Sequence, residues 1–265
     1  MAKERVHKLM AQANIASRRA SEKIIEAGRV TVNGKVITVG DKADPAKDRI
    51  EVDGKPLHIE DEKIYVAVHK PINVISTNKG HVKDDRPTIR EILPLEGHLF
   101  TVGRLDAEST GLVVMTNDGD LANRLSHPRY RHTKTYKVEV HGTPNAESLK
   151  KWQEGVYLEE GKTAPCIVRI KHAHPKYSTL EIIMTEGKNR QIRRIASMLG
   201  YPVHRLTRVA IGRFHIGKLK PNEYKVLTQH DVNLLKTPDP DIELIPGFKS
   251  KQRAFRKSSK GKRRK

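Results

Sequence analysis

Apolar and polar positions along the chain fall into two stretches of different rhythm. Near the start, Leu9, Met10 and Ala13 recur at helical spacing, and Ala20, Ile24 and Ile25 do so again after a polar break. Ser17 stands where an N-cap belongs and Gly28 where a helix ends, so the spacing predicts two short helices. Three β-type runs follow: VTV (30–32), KVIT (35–38) and RIEV (49–52). Asn33-Gly34 and Asp53-Gly54 supply tight-turn chemistry between or after them. The first unit is therefore an α-plus-hairpin module over residues 1–58, with 54–63 reading as a linker.

From Lys63 onward strand-like runs dominate, at 64–69, 73–77, 99–103, 111–117, 134–140, 164–171, 179–185, 204–212 and 223–228. Helical patterns sit between them at 88–93, 119–126, 146–154, 189–199 and 230–236. Many strands and few helices predict an α+β domain over 59–246 with a mixed, mostly antiparallel sheet. Residues 247–265 are too basic and too poor in apolar side chains to fold alone, and read as a disordered tail.

Charge sharpens this division. The 265 residues carry a net +20, yet residues 249–265 alone hold ten Lys or Arg and no acid. The first 53 residues contribute +3, residues 186–220 contribute +8, and the rest of the 54–248 stretch sums to −1. Positive charge confined to a tail and one band suits a surface that tracks phosphates. No apolar run approaches the roughly 20 residues of a membrane span, and MAKERVHKLM lacks the apolar core of a signal peptide. One cysteine, Cys166, excludes an internal disulfide framework and a cysteine-based zinc site. It is expected to be buried and inert in a cytoplasmic protein.

Candidate chemistry centres on Gly103-Arg104-Leu105-Asp106-Ala107-Glu108-Ser109-Thr110-Gly111-Leu112, a loop between two strand runs. Asp106, beside an arginine and small hydroxyl residues, is a candidate nucleophile or general acid/base; an aspartate between glycines also serves as a turn former. In the 189–199 helix, Ile192, Ile195, Ala196 and Leu199 mark the core side, leaving Arg190, Arg193, Arg194 and Ser197 largely opposite. Arg18 and Arg19 open the second helix, the end disfavoured for cations unless an anion also sits there. Residues 155–163 imitate a P-loop, but five residues separate the glycines and two glutamates would repel phosphate. Asp118-Gly119-Asp120 lacks the rest of a calcium loop and reads as a turn with a helix cap.

GRLDAESTGL (103–112) resembles the catalytic motif of the pseudouridine synthases, in the small-subunit-type branch that modifies bacterial ribosomal RNA. Three further stretches resemble that family in the correct order: TNDGDLANRLSHPRY (116–130), KTY (134–136) and EGKNRQIRRI (186–195). ASRRASEKIIEAGRVTVNG (16–34) is similar to the S4-like (α-L) RNA-binding module carried at the front of this branch. GKTAP (161–165) and the GDKAD and IEVDGK patterns look most like the members that act on the large ribosomal subunit.

The resemblance implies isomerisation of a uridine within RNA: the base leaves its ribose, rotates and is rejoined through C5, with no cofactor and no metal. Asp106 would be the essential carboxylate, acting at the ribose C1′ or on the 2′ proton. Tyr136 would stack on the flipped uracil, Arg193 (or, in an alternative register, Arg190) would pair with the carboxylate, and Leu206 would line the uracil pocket. Arg18, Arg19, Arg104, Arg190, Arg194, Arg205 and Arg208 would contact RNA. The implied partner is 23S rRNA in a large-subunit precursor, approached by a monomer. The same chemistry on 16S rRNA and a non-catalytic ribosome-assembly factor are the alternatives.

Overall fold

The computed structural model describes residues 3–59, 62–77, 85–95, 97 and 99–245; the expected disordered tail at 247–265 lies outside the described residues. The N-terminal module opens with helices α1 (Val6–Gln12) and α2 (Arg18–Glu26). A four-stranded sheet follows, made of β1 (Val30–Val32), β2 (Lys35–Val36), β3 (Ile50–Val52) and β4 (Lys55–Pro56) in the order β2-β1-β3-β4, while the short stretches Glu4–Arg5 and Lys42–Ala43 pair separately. Ser17 caps α2 by accepting from the Ala20 amide at 3.3 Å. The Asn33 side chain ties its turn to the neighbouring strand, its Oδ1 accepting from the Arg49 amide at 2.9 Å. Val6, Leu9, Met10, Ile25, Val30 and Ile50 form the module's core.

The larger domain comprises β5 (Tyr65–Lys70), β6 (Phe100–Val102), β7 (Thr110–Thr116), α3 (Gly119–Ser126), β8 (Lys134–His141), α4 (Ala146–Glu154) and β9 (Ile167–His172). It continues with β10 (Tyr177–Met184), α5 (Gln191–Met198), β11 (Val203–Ile211), β12 (Phe214–His215), β13 (Tyr224–Val226) and α6 (Gln229–Lys236). The sheet runs β9-β10-β8-β11-β7-β5-β13, with β12 beside β11 and β6 beside β7. Every one of these pairings is antiparallel except β7 with β11, so the sheet is mixed and mostly antiparallel, as the strand-rich pattern predicts.

The hydrophobic pattern explains which faces are covered. In β7 the unbroken run Leu112-Val113-Val114-Met115 is buried on both sides. Val113 and Met115 join one core, while Leu112 and Val114 join a second beneath Leu121 and Leu125 of α3 and Val232 and Leu235 of α6. In β8 the pattern alternates: Tyr136, Val138 and Val140 enter the first core with Trp152 of α4 and Ile195 of α5, while Lys137 on the opposite face is exposed. Each fully buried aliphatic side chain contributes about 1.5–3 kcal/mol to holding these layers together.

Two expectations change. Residues 73–77 are a turn rather than a strand, with one isolated bridge between Ile75 and Thr88. Pro71 cannot donate to a ladder, and Asn73 takes a left-handed backbone at φ 62°, so the chain bends away from β5. Residues 88–93 form a single 3-10 turn at Ile89–Ile92 rather than an α-helix, closed by Glu91, which accepts from the Thr88 amide at 3.2 Å.

Candidate active site

The loop between β6 and β7 carries Asp106, and its neighbours tie it down on both sides. The Leu105 amide donates to Ser76 Oγ at 3.1 Å, and Ser76 Oγ donates back to the Leu105 carbonyl at 2.9 Å. The Ala107 carbonyl accepts from the Asn73 amide at 2.8 Å and from Lys70 Nζ at 3.3 Å. The Ser109 amide donates to the Asp106 carbonyl at 3.0 Å, closing a tight turn at the aspartate itself. The 73–77 turn that replaced an expected strand is therefore the clamp for this loop. Downstream, Gly111 has φ +109°, and a Cβ there would lie 2.3 Å from the Arg208 carbonyl oxygen, so only glycine lets β7 run beside β11.

Asp106 is half-buried between two adjoining cavities. One, of about 250 Å³, has Tyr136, Met184, Ile192 and Leu206 on its walls. The other, of about 440 Å³, is polar and is bordered by Ser76, Thr77, Arg86, Arg104, Glu108 and Arg190. Tyr136 on β8 is 7% exposed and Leu206 on β11 is 6% exposed. Leu206 pairs with Val138, two residues from Tyr136, so both side chains project to the same face. A cavity with an aromatic ring and aliphatic side chains on one side, a carboxylate at its mouth and polar and guanidinium groups around the rest suits a base attached to a phosphate backbone.

The arginines divide differently from expectation. No ion pair joins Arg193 to the Asp106 carboxylate among the described residues. Arg193 Nη2 donates instead to the Glu108 carbonyl at 2.9 Å and to Ser109 Oγ at 3.3 Å, and its Nε lies 3.8 Å from the Glu108 carboxylate. Burial pushes its pKa down, while the charges of Glu108 and Asp106 oppose that shift. Arg193 thus grips the Asp106 loop through its backbone. Glu108, which sequence reasoning passed over, also takes Arg190 at 2.8 Å, and that bond holds its own pKa below the usual range.

Arg208 is corrected outright as a surface RNA contact. It shares the inward face of β11 with Leu206, is 2% exposed, and its Nε donates to the Leu112 carbonyl at 2.6 Å. Arg194 is half-buried and pairs with Glu160 at 2.8 Å. Arg205 projects from the opposite face of β11 and is exposed, so the basic stretch 186–220 is not one continuous band. Strand alternation is the reason: neighbouring basic residues of β11 are dealt to different faces. Arg104 is exposed and borders both cavities. Arg19 is exposed, and Arg18 lines a separate cavity of about 360 Å³ between the N-terminal module and α3, beside the ion pair of Lys8 with Asp120 at 3.0 Å.

Lys70 is the other residue that sequence reasoning missed. It is fully buried at the end of β5, and its ammonium donates to the carbonyls of Pro71 at 2.8 Å and Val74 at 2.7 Å as well as to Ala107. Burial pushes its pKa down to about 8, against the pull of Asp106. A lysine closing the apolar run IYVAVH was the available signal, because a charge in such a strand must find acceptors.

The other motifs resolve as structure. Residues 157–162 form a small hairpin, and Lys188 Nζ donates to three carbonyls of its turn, at Glu160, Gly161 and Lys162. Asp118 caps α3, accepting from the amides of Asp120 and Leu121 at 3.0 Å. Cys166 is buried, which pushes its thiol up to about 12. Among the described residues no group of three His, Cys, Asp or Glu side chains could hold a metal ion, and no helix is long and apolar enough to cross a membrane.

Comparison with known proteins agrees with this architecture. Residues 64–198 match the RNA pseudouridylate synthase family and residues 4–50 match the S4 domain. The chain belongs to the RNA pseudouridylate synthase family and is an RNA pseudouridine synthase with an S4 domain at its front. It is 40% identical over 234 residues to an uncharacterized RNA pseudouridine synthase of Aquifex aeolicus, covering 88% of this chain and 93% of that one. It is 37% identical over 238 residues to the ribosomal large subunit pseudouridine synthase B of Bacillus subtilis, covering 88% of this chain and 96% of the relative. A crystal structure of a pseudouridylate synthase superposes with a TM-score of 0.64 at 29% identity, over 87% of this chain and 99% of the other.

Proposed function

We propose that the chain converts one uridine of 23S rRNA into pseudouridine in the cytoplasm, as a monomer, with Asp106 as the essential carboxylate. The observation that carries the reading is the position of that carboxylate, on a loop clamped at Leu105, Ala107 and Ser109 and at the mouth of a slot walled by Tyr136 and Leu206. The target nucleotide is extruded from its RNA, and Tyr136 replaces the stacking it loses, a cost of a few kcal/mol. The N1–C1′ bond then breaks with Asp106 assisting, the uracil turns within the slot, C5 bonds to C1′, and the C5 proton leaves to restore aromaticity. Bonds and electrons balance within the nucleotide, so the residues need only position, stabilise charge and move a proton.

Residues 1–58 act as the S4-like RNA-binding unit, 59–246 as the catalytic domain, and 247–265 as a basic tail that adds affinity for phosphates. The large-subunit substrate is supported by the likeness to the Bacillus subtilis relative over nearly its whole length. The test is Asp106→Asn, assayed on a 23S rRNA transcript. Pseudouridine formation is expected to fall below detection while RNA binding persists, and turnover in that variant would refute the assignment. Mapping pseudouridines in 23S and 16S rRNA from cells lacking the gene checks the substrate: one missing 23S position is expected, and an intact 23S map refutes it.

A further inference from the structure

The sheet has a second face that the catalytic site does not use. Tyr136, Val138 and Val140 point into the core, so His141 at the end of β8 projects to the other side, about 17 Å along the strand from Tyr136. There it meets Tyr177, its partner in register on β10, and His204 of β11. The Tyr177 and His204 rings stack with centroids 4.4 Å apart and planes 25° apart. The His141 ring stands edge-on to both, at 4.8 Å and 5.9 Å. His141 and His204 are exposed and Tyr177 is half-exposed, and none of the three belongs to either hydrophobic core of the domain.

We propose that these three rings form a stacking platform for an unpaired nucleotide of the substrate RNA, remote from the Asp106 slot. The proposal rests on the reading of the chain as an rRNA pseudouridine synthase. The platform is rigid: His174 Nδ1 accepts from the amides of Lys176 at 3.1 Å and Tyr177 at 3.4 Å, which fixes the turn that presents them. Its surroundings favour an anion. Lys176 Nζ lies 5.5 Å from the Tyr177 ring centroid, and the segment 171–176 is exposed throughout and contains no acid, its Lys171 pairing with Glu181 of β10 at 3.5 Å. Arg205, 65% exposed, adds a further cation, with Glu139 the neighbouring carboxylate at 3.9 Å.

Flat rings bordered by cations match a base and its phosphate, and aromatic stacking tolerates any base because every base has a π face. A structured rRNA that gives up one nucleotide to the Asp106 slot carries flanking unpaired nucleotides. A site on the far side of the sheet would hold one of them and so report local RNA structure rather than sequence.

The experiment measures binding and turnover of the full-length protein on a 23S rRNA transcript, with thermal melting to verify folding. His204→Ala and Tyr177→Ala are each expected to raise Kd about tenfold, the equivalent of about 1.4 kcal/mol, with kcat at saturating RNA unchanged. Tyr177→Phe, which keeps the ring, is expected to bind as the wild type does. With 4-thiouridine in the transcript, photocrosslinks are expected on the peptide containing Lys176 and Tyr177. Folded alanine variants with wild-type Kd, the result a protein-docking face would produce, overturn the proposal, as does a loss confined to kcat. A wild-type protein that binds the transcript at the crosslinked peptide but forms no pseudouridine overturns the functional reading and leaves the platform standing.

Discussion

Replacing Lys70 by methionine separates loop positioning from overall stability. Burial pushes the Lys70 ammonium from 10.5 to about 8. Keeping it charged at neutral pH therefore costs the fold on the order of 3 kcal/mol, which methionine would remove. The same change strips a donor from the Pro71 and Val74 carbonyls, now met at 2.8 Å and 2.7 Å. Each buried acceptor left unmet costs about 1–3 kcal/mol, so the two effects nearly cancel and Tm should move by only a few degrees. The Ala107 carbonyl also loses its ammonium and is left with the Asn73 amide alone, which loosens the loop one residue from Asp106.

A displacement of about 1 Å at a reacting group costs on the order of 100-fold in rate, and that is the expected fall in kcat, with Kd for RNA unchanged. Tritium release from RNA labelled at uridine C5 measures it. A variant with kcat within threefold of wild type, or one whose lost activity tracks a matching loss of folded protein, would refute the reasoning. The pH dependence gives an independent reading. Unfolded Lys70 keeps its proton up to its ordinary value of 10.5 while the folded one releases it near 8. Between those values the unfolded state binds more protons, so Lys70 makes stability rise with pH across that window. Lys134, also pushed down to about 8, acts in the same direction. Urea unfolding at pH 7.5 and 10 should show a smaller rise for Lys70→Met than for wild type.

Three other outcomes are expected. Gly111→Ala forces a side chain into a backbone at φ +109° and against the Arg208 carbonyl, and should cost about 3 kcal/mol or more in urea unfolding. Arg193→Lys keeps the charge but loses the planar group that spans the Glu108 carbonyl and Ser109 Oγ; kcat should fall at least about tenfold with little change in Kd. Deleting 249–265, with its ten basic residues, should weaken RNA binding and flatten its salt dependence without removing turnover. The log–log salt slope should shrink by about 0.7 for each single-strand phosphate that the tail had neutralised.

Much of the site was legible because it is local. Asp106 lies within a ten-residue motif, and the resemblance that this motif carries also named Tyr136 and Leu206, which the structure places on the wall of the cavity beside it. The arginines were harder. A run of basic residues looks like one surface, yet β11 gives Arg205 to solvent and Arg208 to the core, and Arg194 is taken by Glu160, 34 residues away in the chain. Arg193 was expected on the Asp106 carboxylate, but it binds the Glu108 carbonyl, an acceptor that no side-chain pattern reports.

The amino-acid sequence by itself determined the two-module order, the strand-rich larger domain and the motif that carries the candidate carboxylate. Each follows from short-range periodicity, turn chemistry or a contiguous motif. Only the tertiary structure decided what holds that carboxylate in place. The clamp brings the 70–76 segment, with Lys70, Asn73 and Ser76, together with the distant Arg193, and it works through backbone carbonyls and amides whose directions exist only once β5, β7 and α5 have packed. Tertiary structure also divided the charge: along β11, Arg208 went to the core and Arg205 to solvent, because a strand deals successive side chains to opposite sides of the sheet, while Arg193 of α5 became a loop clamp.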